Sequence, residues 1–200
     1  MFSSTPTPIS KLISAINFAT IAHRNQKRKD STNTPYINHP IEVMYILSDV
    51  GIVDIDVLCA AVLHDTVEDC GVTYTELVDK FGSVVADYVL ECSDDKSLTK
   101  VERKKLQITH AKEISIGAKL IKAADKYSNI KDLIKNPPVG WNDQQIIGYI
   151  NWSYAVYQNL KGQNETLDLN LEKIFACQEL PGISSQDLDY RLSSYYQSIQ

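Results

Sequence analysis

The sequence predicts an all-α protein. Three observations carry this. Apolar residues recur at spacings of three and four in one segment after another, N-cap residues and Pro or Gly bracket those segments, and no run shows the alternation of a half-buried strand. No internal repeat is present. Two hundred residues suit one domain with a sizeable core. A formal net charge of −5 argues against a bulk nucleic-acid binder. No apolar run approaches the roughly 20 residues that span a bilayer, so no membrane partner is expected. The polar, Pro-broken first ten residues do not read as a signal peptide. Cys59, Cys70, Cys92 and Cys177 are scattered without a C-x-x-C, which predicts reduced cysteines in a cytoplasmic protein.

Ile9 to Arg28 reads as an amphipathic helix with Leu12, Ile16, Ala19 and His23 in line. His23 ends an apolar line and is expected to be a hydrogen-bonded core histidine rather than a ligand. Lys27-Arg28-Lys29 has two readings: a solvated helix end, where cations suit the dipole, or an anion or base contact at the mouth of a site. Pro35 and Pro40 lock a short segment around Tyr36 and His39. With Pro40 at the first helical position, His39 would sit just before a helix Ile41 to Ser48. Asp54 or Asp56 caps the next helix, which runs on through His64, Asp65, Glu68 and Asp69. Thr73 and Glu76 form a capping box opening a helix to Phe81-Gly82. Val84 to Cys92 is a further apolar helix. Beyond the polar loop 94–100, Val101 to His110 is strongly charged and expected to be exposed. Ser115 to Leu133 is helical, Asn136-Pro137-Pro138-Val139-Gly140 breaks the chain, and Trp141 to Leu160 and Leu167 to Cys177 follow. The compact domain is placed at 1–180. Residues 181–200 read as a weakly helical or disordered tail, and deleting Ser184 to Gln200 is expected to leave activity and melting nearly unchanged.

The chemistry centres on Leu63-His64-Asp65-Thr66-Val67-Glu68-Asp69. On a continuous helix, Leu58, Val62, Asp65 and Asp69 share one line and Val57, Ala61, His64 and Glu68 the next. Both lines start apolar and end in acid or imidazole. Burying carboxylates costs many kcal/mol unless they are paired or bind a metal. The segment has no Lys or Arg, so a metal ion is the expected cation. Asp125 likewise ends a line, Ala118 and Ile121, inside a helix where capping cannot explain it. An ion pair with Lys122 or Lys126 is the plainer alternative to a metal or substrate role. His39, His64, Asp65 and Asp125 offer two imidazoles and two carboxylates from three helices. That set suits one Mn, Fe or Zn ion with open positions for water. Glu68 and Asp69, one turn on, remain free to move protons, which is equipment for hydrolysis.

The order H…HD…D resembles the HD superfamily of metal-dependent phosphohydrolases. Narrower words, Arg28-Lys29-Asp30, Thr34-Pro35-Tyr36-Ile37-Asn38-His39-Pro40, His64-Asp65-Thr66-Val67-Glu68-Asp69 and Lys122-Ala123-Ala124-Asp125-Lys126, resemble RelA/SpoT hydrolase domains, above all the small stand-alone metazoan members. The resemblance implies an HD-domain helical bundle and removal of pyrophosphate from the 3′ position of (p)ppGpp, a small-molecule nucleotide, with Mn²⁺. It implies that His39, His64, Asp65 and Asp125 hold the metal and that Glu68 and Asp69 orient water and shuttle protons. Arg28 and Lys29 match residues near the guanine and phosphates, Asn129 and Tyr149 match pocket positions, and Lys100 matches a phosphate contact. Tyr36 flanks His39 with Arg28 and Lys29 and joins the substrate set. NADPH 2′-phosphatase activity, nucleoside 5′-monophosphatase activity and a non-catalytic nucleotide sensor are the alternatives. The chain departs from the pattern at Gln144-Gln145, where relatives often carry Arg, and at Ala124 and Tyr127-Ser128, where bulkier neighbours are usual.

Overall fold

The computed structural model describes residues 7–199, which form eleven α-helices and no strand. Helix α3 (Ile55–Leu63) is the pivot. Asp54 caps it by accepting from the backbone N–H groups of Asp56 and Val57, and every residue from Val57 to Leu63 is buried. A helix apolar on all sides has to be surrounded. Here α1 (Pro8–Ala22), α2 (Asn38–Asp49), α6 (Ser83–Cys92) and α8 (Ile116–Lys135) pack around it. Full burial of each Val- or Leu-sized side chain contributes about 1.5–3 kcal/mol, so this helix anchors the bundle. α4 (Thr66–Cys70) follows it directly, and α5 (Tyr74–Phe81) packs on α6. α7 (Lys100–His110), α9 (Asp143–Tyr157) and α10 (Glu165–Ala176) close the other side against α8 and one another. Thr73 caps α5 through the Glu76 N–H, while complete capping boxes open α7 and α9.

Several boundaries differ from those expected. α1 ends at Ala22, not Arg28. The chain then doubles back, with Lys27 bridging Pro35 and the N–H groups of Arg28 and Tyr36 donating to Thr34 and Gln26 carbonyls. Lys27-Arg28-Lys29 is therefore one arm of a loop, not a helix end. α2 starts at Asn38, so His39 lies within its first turn and Pro40 is the third helical residue. That is tolerated because first-turn N–H groups have no intrahelical acceptor.

The expected tail is the largest difference. α11 (Ser185–Ser198) packs along α9. Its Leu192, Tyr195 and Ile199 are buried, and the Tyr195 ring lies so close to Gly148 that any side chain there would collide. Gln145 of α9 donates to the Ser198 carbonyl. The pattern Leu188, Leu192, Tyr195, Ile199 is helical, but Ser and Gln around it lower the mean hydropathy and mask it.

Tyr195→Ala should cost about 3–5 kcal/mol in urea unfolding. Tyr195→Phe should be neutral or stabilising, because the Tyr195 hydroxyl is buried without a hydrogen-bond partner. Equal stability of all three proteins would show that α11 does not pack as described.

Candidate active site and metal centre

α3 does not continue through His64 and Asp65. It stops at Leu63, and Asp65, at φ −96° and ψ −2°, becomes the N-cap of α4. Side chains compete here for carbonyls a longer helix would use: His64 Nδ1 bonds the Ala61 oxygen at 2.8 Å and Thr66 Oγ1 the Leu63 oxygen at 2.7 Å. Gly71, at φ +72°, ends α4 after five residues. The turn aims His64 and Asp65 toward α2 and α8.

Three ligand atoms, from His39, His64 and Asp125, lie within 4.8 Å of one another. Asp65 Oδ2 stands 3.0 Å from His64 Nε2 and 3.9 Å from His39 Nε2. Asp125 Oδ1 stands 3.0 Å from His39 Nε2 and 3.7 Å from His64 Nε2. Both histidines are buried. Because His64 Nδ1 faces a carbonyl it must carry the proton, which leaves the Nε2 lone pair facing the cluster. Nε2 is buried and has no hydrogen-bond partner. An orphaned imidazole nitrogen beside a second imidazole and two carboxylates fits a divalent cation with mixed N and O ligation.

Without a metal ion the cluster favours a proton as its cation. Burial alone would lower the His64 pKa and raise that of Asp65, but their mutual attraction outweighs it: His64 lies well above the ordinary value and Asp65 well below, and a metal ion would take the place of that proton on Nε2. Tyr36 donates to Asp65 Oδ2 at 2.6 Å, and burial beside that carboxylate raises its pKa, so it stays a donor. Asp125 divides its oxygens. Oδ1 accepts from the Asn129 amide at 2.6 Å and stands beside His39 Nε2, and Oδ2 accepts from buried Lys126 at 2.8 Å. The ion pair and the ligand cluster thus coexist on one carboxylate. Lys122 instead donates to the Cys92 carbonyl.

Residues 15–147 match the HD domain family. The sequence is 47% identical over 165 residues to the guanosine-3′,5′-bis(diphosphate) 3′-pyrophosphohydrolase MESH1 of Danio rerio, covering 82% of this chain and 92% of the relative. It is 47% identical over 167 residues to the Homo sapiens protein of the same description, covering 83% and 93%. The chain is a RelA/SpoT-type member of the HD-domain family. A solved structure of a metazoan SpoT orthologue, described as hydrolysing ppGpp, matches this HD-domain fold with a TM-score of 0.84 at 44% identity, covering 89% of this chain and 99% of that one.

The HD-domain cluster forms the floor of a cavity of about 410 Å³, which also has Glu68, Lys29, Lys100, Arg103 and Lys104 in its walls. A second cavity of about 440 Å³ shares Lys29, Tyr36, Lys104, Asn129 and Tyr149 with the first and extends to Arg28 and Trp141. Arg28 binds Asp132 at 2.7 Å and the Asn129 oxygen at 3.0 Å. The two expected proton carriers separate. Glu68 stays in the first cavity, accepting from the Asp94 N–H at 3.0 Å and facing Arg103 at 3.5 Å. Asp69 lines the second, held by Lys96 at 2.6 Å and the Gln26 amide at 2.8 Å. The break at Asp65 rotates α4 out of the register assumed for one continuous helix. His23 is buried against Gln26 and Cys70, outside the cluster.

α7 has no buried residue, as its charge predicted. One polar stripe, Lys100, Arg103, Lys104 and Gln107, also lines the first cavity. The i, i+3, i+4, i+7 spacing is visible in the sequence, but its polarity suggested exposure. Lys104 lies over the Trp152 ring at 3.3 Å and near Tyr149 at 4.8 Å. Desolvation, reinforced by the neighbouring Lys126 charge, pulls its amine well below the ordinary lysine range. Lys29, Lys100 and Lys104 have no carboxylate partner among the described residues, whereas Arg28, Lys96, Arg103 and Lys126 each have one. Gln145 completes the α9 capping box and adds no positive charge to the site.

Burial among carboxylates raises the Glu68 pKa. A carboxyl raised in the fold contributes stability below its unfolded pKa and loses it as pH rises through the folded one. Glu68→Gln, neutral throughout, should therefore gain Tm relative to the parent as pH rises through and beyond the ordinary carboxylate range in metal-free protein. A gap in Tm that does not change with pH would show that Glu68 is not desolvated.

Proposed function

We propose that this HD-domain protein hydrolyses guanosine 3′,5′-bis(diphosphate) at its 3′ position, releasing pyrophosphate, with Mn²⁺ as its metal. One observation carries the reading: the orphaned His64 Nε2 belongs to a buried N/O donor cluster under a cavity with three unpaired lysines. The MESH1 relatives bear the name of this activity over more than nine-tenths of their length. His39, His64, Asp65 and Asp125 would hold the ion. When bound, it supplies Lewis acidity that polarises a phosphoryl oxygen and acidifies a water at neutral pH.

The chain's own residues do the rest. Glu68 stands beside the cluster with a raised pKa, suited to take a proton from the attacking water. The water oxygen bonds to phosphorus, the bond from phosphorus to the ribose 3′-oxygen breaks, and that oxygen leaves as a hydroxyl after receiving a proton. Tyr36, a donor held on Asp65, fixes the carboxylate's orientation. Lys29, Lys100 and Lys104 meet the phosphate charge. Arg28, Asn129, Tyr149 and Trp141 make the second cavity a site for the guanosine. Asp69, tied to Lys96 and Gln26, acts at that cavity's edge. A cytoplasmic location is part of the proposal, supported by four free cysteines and by the lack, among the described residues, of any helix long and apolar enough to cross a membrane.

Metal-loaded protein should turn over ppGpp faster than NADPH or deoxynucleoside monophosphates. A preference for either of the others would overturn the substrate assignment. Glu68→Gln should keep the metal and lose about 10²–10⁴-fold in kcat, the usual contribution of a positioned acid or base. A near-normal kcat would leave water activation to the ion alone. Lys104→Met should raise KM for ppGpp with a smaller change in kcat, as expected when a contact shared by ground and transition states is removed. An unchanged KM would take Lys104 out of the phosphate site.

A further inference from the structure

His64 has a backbone carbonyl to fix its tautomer. His39 does not, and the structure supplies a different device. His39 Nδ1 lies 3.1 Å from Ser128 Oγ, and that hydroxyl donates to Glu42 Oε2 at 3.0 Å. Ser128 is 1% exposed, so no solvent competes for its single proton. Lys131 holds the other Glu42 oxygen at 3.3 Å. The chain of contacts joins two helices at matching places. Glu42 stands one turn beyond His39 on α2, and Ser128 stands one turn beyond Asp125 on α8. Each helix therefore contributes one residue to the cluster and one to its support.

We propose that Ser128 and Glu42 are positioning residues that hold His39 as a metal ligand by dictating which ring nitrogen carries the proton. A hydroxyl has one proton, and a carboxylate can only accept. With its proton given to Glu42, Ser128 must accept from His39 Nδ1–H. The His39 lone pair is then confined to Nε2, which faces His64 and Asp125. Outer hydrogen-bond partners of this kind fix ring orientation and raise ligand basicity. The device belongs to this chain's own sequence, since Ser128 stands where the family resemblance leads one to expect a bulkier residue. The inference rests on the metal reading of the cluster and is independent of the substrate.

The test titrates Zn²⁺ alone, chosen because it is diamagnetic, into the metal-free full chain by calorimetry. His64→Ala sets the background. Ser128→Ala should weaken Zn²⁺ binding by about 10- to 100-fold. Glu42→Leu touches no ligand, yet it should also weaken binding. Without its acceptor the Ser128 hydroxyl turns to donate to Nδ1, which favours the tautomer with Nε2 protonated. Ser128→Thr keeps the hydroxyl and should bind nearly as the parent does. In nitrogen-15 spectra of the zinc-loaded protein, the His39 Nδ1 proton should exchange slowly in the parent and rapidly in Ser128→Ala. Parent-like affinity in both Ser128→Ala and Glu42→Leu would overturn the relay while leaving the metal site intact. If Ser128→Ala fails to fold, Glu42→Leu decides, because Glu42 is partly exposed and its loss leaves the core filled. A parent that binds no Zn²⁺ above the His64→Ala background would overturn the metal reading itself, and the relay with it.

Discussion

Two imidazoles and two carboxylates sit together within a largely apolar core, and they need a cation there. Desolvated carboxylates are tolerated only when paired, and much of the architecture supplies that pairing. Lys126 neutralises one face of Asp125, Tyr36 donates to Asp65, and both histidines turn Nε2 inward. What remains is one orphaned nitrogen beside carboxylates that Lys126 only partly neutralises. The apolar helix α3 makes this arrangement possible. Because it is enclosed on all sides, the residues that follow it emerge inside the bundle rather than at its surface.

Apart from Lys122, which donates to the Cys92 carbonyl, the positive residues around the cluster divide into two groups by what they touch. Arg28, Lys96, Arg103 and Lys126 are tied to carboxylates and serve to hold Asp132, Asp69, Glu68 and Asp125 in place. Lys29, Lys100 and Lys104 meet no carboxylate and line the cavity. Lys100 is disfavoured as a cation first by burial and then by Lys29 and Arg103 nearby, a strain that an arriving polyanion would relieve. Lys104 rests on aromatic faces, which hold an ammonium without neutralising it.

Much of the cluster was legible in the sequence because burial and charge conflict locally. Apolar lines ending in His64, Asp65 and Asp125 with no basic residue at helical spacing before the HD pair demanded a cation. The role of α7 was not legible. Its stripe of Lys100, Arg103, Lys104 and Gln107 reads as exposed from polarity alone, and only the packing of distant helices shows that it lines a cavity. Nor could the tail be read, since Tyr195 is held by a gap over Gly148, forty-seven positions away in sequence.

The sequence by itself determined the all-α class and the residue types that gather at the cluster, because caps, periodicity and the cost of buried charge are local properties. Tertiary structure decided where those groups point. The turn at His64-Asp65 swings α4 relative to α3, so that Glu68 lines the first cavity and Asp69 the second. Asp132 claims Arg28, and Glu42 reaches Ser128, each across a pairing of distant segments. Orientation across such pairings depends on how whole helices pack, and no spacing within a single segment encodes it.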